Sequence, residues 1–120
     1  MRKMTRINYN GRKFRPIKNV GTSEVGAETV FYYHQAGDVV WAEYSGGEIA
    51  RGHLIAIRDA EGNLNMRYHH VNIKGELMTG VCTSAPQILA DDRIRLHEKW
   101  RWTSGDLSSG ESVLQEFKTA

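Results

Sequence analysis

The stretch RIRLHEKWRWT, residues 93–103, decides the fold class of this chain. From Ile94 to Trp102 every second residue is apolar except Glu98, and the residues between them are basic. Successive side chains of a β-strand point to opposite sides, whereas a helix would scatter both sets around its circumference. The stretch therefore predicts a strand with one buried face and one wet, basic face. It also places the carboxyl group of Glu98 on the buried face, beside Trp100 and Trp102.

The composition is that of a globular protein. The chain has 120 residues, of which 40% are hydrophobic and 25% charged, so we expect a single domain over residues 1–120. The basic N-terminus lacks the apolar run of a secretory signal, and no stretch approaches the roughly 18 apolar residues of a membrane span. We therefore expect a cytoplasmic protein without membrane association.

Short segments rich in Val, Ile, Tyr, Trp and Thr alternate with turn signals along the chain. Asn10-Gly11 is a strong two-residue hairpin signal, and helix evidence is limited to residues 112–117, which suit a strand equally well. The segments predict strands near Thr5–Tyr9, Lys13–Lys18, Glu28–Gln35, Val39–Ser45, Glu48–Arg58, Leu64–Asn72, Leu77–Thr83, Arg93–Thr103 and Glu111–Lys118. Many short strands joined by tight turns predict an all-β antiparallel meander closing into an up-and-down barrel of about eight strands. The interior of such a barrel is either filled by side chains or holds one small ligand.

Loop lengths give an expected register. If Gly46-Gly47 is a two-residue turn, Trp41 lies opposite Gly52. If residues 59–63 form a five-residue loop, Leu54 lies opposite Tyr68, and if residues 73–76 form a four-residue loop, Tyr68 lies opposite Val81. A one-residue slip in any turn would send the following strand to the opposite face. The apolar face of residues 93–103 should join the interior of the barrel. The other residues expected to be interior are Trp41, Glu43, Gly52, Leu54, Ala56, Leu64, Met66, Tyr68, His70, Thr79, Val81 and Thr83.

Within that face, aromatic and polar side chains form a candidate ligand site. The set is Trp41, Glu43, Tyr68, His70, Glu98, Trp100 and Trp102. Ligand cavities are typically lined by aromatic side chains with a few placed polar groups. We expect a small, partly apolar ligand that the aromatic rings contact and that Glu98 and His70 orient.

Two alternatives stay open. The first is an enzyme that uses Glu98 with His70 or Glu43 for acid–base chemistry in the same cavity, because burial beside tryptophans raises a carboxyl pKa. The second is a filled barrel that serves as a protein-interaction module, for instance as a homodimer. The sequence assigns no catalytic residue beyond these candidates.

Other functional classes find little support. His69 and His70 are neighbours on a strand and point to opposite faces, so they cannot chelate one metal ion, and we predict neither a metal nor a cofactor. Cys82 is the only cysteine, which excludes an internal disulfide and favours a buried thiol. No Walker loop and no G-x-S-x-G occur, so nucleotide hydrolysis and triad hydrolysis are not predicted.

The basic face of residues 93–103 does not predict a nucleic-acid surface. The tryptophans point the other way, so the face lacks the exposed aromatic rings on which single-stranded bases stack. The net charge of +2 permits nucleic-acid contact without requiring it. We expect a solvated face whose basic residues pair with Glu111 and Glu116.

Four segments resemble a family of small bacterial proteins of unassigned function: INYNGRKFRP, VVWAEYSGGEIARGHLI, MRYHHVNIKGELMTG and IRLHEKWRWTSGDLSSGES. Some members of that family carry the label N-acetylglutamate synthase. These residues do not support the label, because such acyl-CoA-dependent transferases use an α/β fold with a Gly-rich loop, and this chain contains no G-x-G. In architecture the expected barrel resembles the avidin and lipocalin group, the calycins. That resemblance implies a small molecule held among inward-pointing aromatic side chains.

Overall fold

Eight antiparallel strands close into a barrel in the computed structural model, which describes residues 7–118. Each strand pairs with its neighbours in sequence, and β8 pairs with β1 to close the sheet. This confirms the predicted all-β, eight-stranded antiparallel barrel. The strands are β1 Lys13–Val20, β2 Val30–Ala36, β3 Val39–Gly46, β4 Ile49–Arg58, β5 Leu64–Asn72, β6 Leu77–Ile88, β7 Ile94–Trp102 and β8 Ser109–Phe117.

The faces of β7 follow the period-two pattern of its sequence. Ile94, Leu96, Glu98, Trp100 and Trp102 are all buried, and the residues between them are exposed or half-buried. Burying the apolar set removes its surface from water, while the intervening basic groups keep their hydration. The two faces predicted for residues 93–103 are therefore correct.

The predicted first hairpin is wrong. Residues 5 and 6 lie outside the described part of the chain, and residues 7–9 belong to no strand. Asn10 and Gly11 do form a turn, closed by the Arg12 amide donating to the Tyr9 carbonyl at 3.2 Å. No ladder continues beyond that hydrogen bond within the described residues, since β1 pairs with β2 and β8 only. The Tyr9 ring is fully buried at one end of the barrel, and its hydroxyl donates to the Gly62 carbonyl at 2.6 Å.

The predicted register between β3 and β4 is also wrong. The ladder shifts between Tyr44 and Gly46, so that Tyr44, not Trp41, lies opposite Gly52. Such an irregularity adds a residue to one strand and moves its side chains to the opposite face. Gly46 has a φ of +118°, a conformation that other residues rarely adopt. The correction places Trp41 and Glu43 outside the barrel.

A shorter turn than expected connects β5 and β6. The Asn72 amide donates to the Glu76 carbonyl at 3.0 Å, so the loop has three residues, with Gly75 at a φ of +80°. Tyr68 consequently lies opposite Gly80, not Val81. The inward residues of β6 are Gly80, Cys82 and Ser84, and the predicted interior positions of Thr79, Val81 and Thr83 are wrong.

The barrel has two different ends. The end near Tyr9, here called the closed end, is filled by aromatic packing: the ring centroids of Tyr9 and Tyr33 are 5.9 Å apart, and those of Phe14 and Tyr33 are 4.8 Å apart. Arg58 adds an ion pair to Asp38 at 2.8 Å. The opposite end, here called the cavity end, carries the connection between β1 and β2, residues 21–29, and contains the candidate site.

Candidate functional site

A cavity lies inside the barrel at the cavity end. Its volume, taken as the space open to the centre of a water molecule, is about 50 Å³. Ser23 and Val25 of residues 21–29 contribute to its wall. The other lining residues come from seven strands, β2 to β8: Phe31, Tyr44, Leu54, Met66, Tyr68, His70, Cys82, Glu98, Trp100, Trp102, Ser112 and Leu114.

Aromatic rings in edge-to-face contact form one wall. The ring centroids of Trp100 and Trp102 are 5.8 Å apart, and those of Tyr68 and Trp102 are 5.7 Å apart. The Trp100 indole donates to the Ser112 hydroxyl at 2.9 Å, and the Trp102 indole donates to the Thr22 carbonyl at 3.3 Å. Both indole N–H groups are therefore satisfied within the protein, which fixes the orientation of the rings.

Three of the lining aromatics each lie opposite a glycine of the neighbouring strand. The pairs are Tyr44 with Gly52, Tyr68 with Gly80, and Trp100 with Gly110. A Cβ atom added to any of these glycines would come within 2.5 Å of the facing ring. The glycines therefore leave the space that these rings occupy over the neighbouring strand.

Glu98 is a buried acid with a single hydroxyl partner. Among the described residues only Ser84 hydrogen-bonds to it, with 2.6 Å between the Ser84 hydroxyl and Oε2. Burial raises the pKa of Glu98 to about 7, and the Ser84 hydrogen bond opposes that rise. The side chain is therefore divided between its neutral and ionised forms near neutral pH. In the neutral form it is a hydrogen-bond donor inside an apolar cavity.

His70 connects the cavity to residues 21–29. Its Nε2 lies 2.7 Å from Oε1 of Glu24, and its Nδ1 lies 3.0 Å from the Tyr44 hydroxyl. The second oxygen of Glu24 accepts a hydrogen bond from the Asn72 side-chain amide at 3.0 Å. Glu24 thus fastens residues 21–29 to β5. If His70 is neutral and donates Nε2–H to Glu24, its Nδ1 accepts a hydrogen bond from the Tyr44 hydroxyl.

The structure brings five of the seven predicted site residues together. Tyr68, His70, Glu98, Trp100 and Trp102 all line the cavity. These five were placed correctly because the register between β4 and β5 and the faces of β7 match the prediction.

Trp41 and Glu43 lie outside the barrel, and their predicted interior placement is wrong. The shift in the β3–β4 ladder turns both residues outward, where Trp41 stacks on His34 at 5.5 Å between ring centroids. Glu43 lies 2.8 Å from Nε2 of the same histidine. Glu43 therefore cannot assist Glu98 in acid–base chemistry.

Sequence reasoning missed Tyr44, Phe31, Ser112 and Glu24. Tyr44 had a signal, since an aromatic opposite a glycine was expected and only the identity of the aromatic was wrong. No sequence signal pointed to Glu24, because it lies in an irregular segment whose path over the barrel end depends on the closed fold. Phe31 stacks on Tyr44 at 4.8 Å and follows from the same register.

The outer face of β7 is exposed at His97, Lys99 and Arg101, as expected. Glu111 lies opposite Lys99 in the β7–β8 ladder. Glu116 does not join this face, contrary to the prediction. It is buried at 4% exposure and forms an ion pair with Arg12 at 2.9 Å.

Residues 7–118 show neither a metal-binding cluster nor a membrane-spanning helix. No group of three or more His, Cys, Asp or Glu side chains within them is arranged to hold a metal ion. No helix in this part of the chain is long and apolar enough to span a membrane.

Comparison with known proteins identifies the family. Searches of curated proteins and of solved structures gave no significant match. The family model described as avidin-like protein matches residues 7–117, which is nearly the whole chain. The match agrees with the closed eight-stranded antiparallel barrel, and it confirms the resemblance to avidin-type barrels expected from the sequence. The chain belongs to the avidin-like protein family.

Proposed function

We propose that this protein binds a small, partly apolar ligand inside the barrel, at the cavity end. The observation that carries the proposal is the cavity in which Tyr68, His70, Glu98, Trp100 and Trp102 converge. Apolar walls with a few oriented polar groups are the usual composition of a small-molecule site. Membership of the avidin-like family, a family of small-ligand binders, supports the same conclusion.

The size of the cavity limits the ligand. The 50 Å³ that is accessible to the centre of a water molecule holds several waters, because one water needs about 10–15 Å³ of this kind of volume. A drug-sized molecule would require residues 21–29 to move aside. The ligand that fits the closed site is therefore compact, with only a few non-hydrogen atoms buried.

Tryptophan fluorescence tests the proposal. Trp100 and Trp102 line the cavity, whereas Trp41 is 37% exposed on the outer surface and contributes only background. In a Trp41→Phe background we expect a true ligand from a metabolite library, with biotin included as a family reference, to change the emission of the two remaining tryptophans. Binding detected by calorimetry should weaken in Trp102→Phe and stay unchanged in Trp41→Phe, a matched pair of substitutions. Equal effects of both substitutions would contradict binding in the cavity.

A second candidate function is acid–base catalysis by Glu98 and His70. The favouring observation is that both line one cavity and that burial raises the pKa of Glu98 to about 7, where a carboxyl group can exchange protons at neutral pH. A ligand found by fluorescence would be incubated with the protein and followed by mass spectrometry. Turnover that is lost in Glu98→Gln while binding persists would favour catalysis, and an unchanged ligand would favour binding alone.

We also propose self-association through the outer surface of β3 and β4. Val39 lies opposite Ile57 and Trp41 opposite Ile55, and these four residues are between 37% and 58% exposed. Neighbouring exposed apolar side chains of this kind mark interaction surfaces. Light scattering after size exclusion should give the mass of an oligomer that Ile55→Lys converts to a monomer, while Ile88→Lys, at a different exposed isoleucine, has no effect.

A cytoplasmic location stays a prediction.

A further inference from the structure

We propose that the ligand of the cavity is a small organic cation, an ammonium ion held between the aromatic rings and the Glu98 carboxylate. This inference rests on the proposed function, that the cavity binds a ligand, and names the chemical class of that ligand. It is carried by the charges that line the cavity, by the arrangement of the rings and by the lack of a cationic partner for Glu98.

Within residues 7–118, the cavity lining contains one carboxyl group, that of Glu98, and no lysine or arginine. Arg58 and Arg12, which belong to the opposite half of the barrel, are engaged by Asp38 and Glu116 respectively. An anionic ligand would find no cation to offset the loss of its hydration, which makes its burial unfavourable.

The pair formed by His70 and Glu24 does not reverse this balance. If His70 is protonated, the pair carries no net charge, because the Glu24 carboxylate lies 2.7 Å from Nε2. If His70 is neutral, the pair carries one negative charge. In neither case does this side of the cavity present net positive charge to a ligand.

The aromatic wall is suited to a cation. Indole and phenol rings carry negative charge on their faces, and a cation within about 6 Å of a ring centroid is attracted to it. Trp102 lies at the centre of the cluster, with centroid distances of 5.8 Å to Trp100 and 5.7 Å to both Tyr68 and His70. A single ammonium group in the cavity therefore lies within reach of several rings at once.

Glu98 supplies the anionic partner. Its contact with Ser84 uses Oε2, and no basic side chain in the described part of the chain contacts either oxygen. A buried carboxyl without a cation is held in its neutral form by desolvation, and burial raises its pKa to about 7. An ammonium ion would favour the ionised form, so binding below that pKa would release the carboxyl proton to solvent.

Four other ionisable side chains near Glu98 have a raised pKa. Burial raises the pKa of Tyr33 on β2, Tyr44 on β3, Tyr68 on β5 and Cys82 on β6, so these four stay neutral. Ser84 and Ser112, from β6 and β8, carry no charge. His70 and its partner Glu24 are two further ionisable side chains at this end of the barrel, and both are present in the wild type and in Glu98→Gln. The difference between these two proteins therefore isolates Glu98.

Matched ligand pairs test the inference. Choline would be compared with 3,3-dimethylbutan-1-ol, which has the same shape without the charge, and butylammonium with butan-1-ol. Calorimetry on the wild-type protein should give at least about tenfold tighter binding for one or both cations than for the neutral partner, as expected for a charge-assisted contact in a dry site. Affinity for the cation should rise from pH 6 to pH 8, and the heat measured below pH 7 should depend on the buffer because a proton is released.

Variants separate the possible results. Glu98→Gln should remove most of the preference for the cation and its pH dependence, whereas Glu43→Gln, at a carboxylate outside the barrel, should change neither. Equal affinity for the charged and neutral partners would overturn the inference and leave the proposed function intact. Failure of both cations to bind, while a neutral or anionic library compound binds with Trp102-dependent affinity, would overturn it as well. If no compound of any class bound, the proposed function itself would fail. The comparison of ligand pairs uses the wild-type protein, so it does not depend on the folding of a variant.

Discussion

Tyr68 of β5 lies directly opposite Gly80 of β6, and its phenol ring occupies the space that a Cβ atom at residue 80 would need, 2.2 Å from the nearest ring atoms. Tyr44 with Gly52 and Trp100 with Gly110 repeat the same relationship. The glycines allow large rings to lie against the barrel wall, which keeps the centre open. The cavity thus depends on residues that do not themselves line it.

Gly80→Ala should displace the Tyr68 ring. Because the added methyl group overlaps ring atoms, we expect a loss of about 1–3 kcal/mol in the free energy of unfolding, measured with urea, and weaker binding of any cavity ligand. Gly26→Ala is the control, since a Cβ atom there meets nothing within 4 Å. Combining Gly80→Ala with Tyr68→Ala should cost less than the sum of the two single changes. If the two losses in unfolding free energy were strictly additive, overlap between the methyl group and the Tyr68 ring would not be the cause of the destabilisation.

Glu98 should make the protein less stable as the pH rises. Its pKa is raised from 4.5 to about 7 on folding, so between these values the folded state holds a proton that the unfolded state has lost. The stability that this proton confers is complete below pH 4.5 and lost as the pH approaches 7, a change of up to about 3 kcal/mol. In Glu98→Gln the free energy of unfolding should decrease less between pH 5 and pH 8 than in the wild type. Glu43→Gln should follow the wild type, and identical pH profiles for all three proteins would contradict the assignment.

Glu24 should hold residues 21–29 against the barrel end. Glu24→Ala removes the contacts to His70 and Asn72, so we expect faster amide hydrogen exchange at residues 22–26 and a loss of about 1–3 kcal/mol in unfolding free energy. Glu28→Gln, at an exposed carboxylate of the same segment, is the control. Unchanged exchange in Glu24→Ala would show that the other contacts, such as the 2.8 Å hydrogen bond between Thr22 and Ser108, suffice to hold the segment.

Tyr9 should stabilise the closed end through its hydroxyl as well as its ring. Tyr9→Phe leaves the packing on Tyr33 but removes the 2.6 Å hydrogen bond to the Gly62 carbonyl, so urea unfolding should show a loss of about 1 kcal/mol. Tyr32→Phe is the matched control, because Tyr32 is 46% exposed and points away from the core. A comparable loss in both variants would indicate that the Tyr9 hydroxyl makes no specific contribution.

The sequence predicted the barrel and the inward placement of five residues that line the cavity, for identifiable reasons. The strict alternation of β7 assigns Glu98, Trp100 and Trp102 to the inner face without knowledge of any neighbour. Tyr68 and His70 followed from the five-residue loop 59–63, whose observed pairing of Leu54 with Tyr68 is the expected one. The errors at Trp41 and Glu43 came from the irregularity between Tyr44 and Gly46 in the β3–β4 ladder, which the assumed two-residue turn does not include.

Local patterns determine much of this protein. Apolar alternation decides that residues 93–103 form a strand and which of its faces is buried, because burying the charged face would cost too much hydration. The repeated turn signals decide that the strands form an antiparallel meander.

Only the tertiary structure decided the register at the irregular turns, since one additional residue in a ladder inverts every following side chain at little local cost. It also brought Glu24 from a distant segment onto His70, and it placed Glu98 among aromatic rings with no cationic side chain of residues 7–118 in contact with its carboxyl group. Contacts of this kind join residues far apart in sequence and form only when the barrel closes.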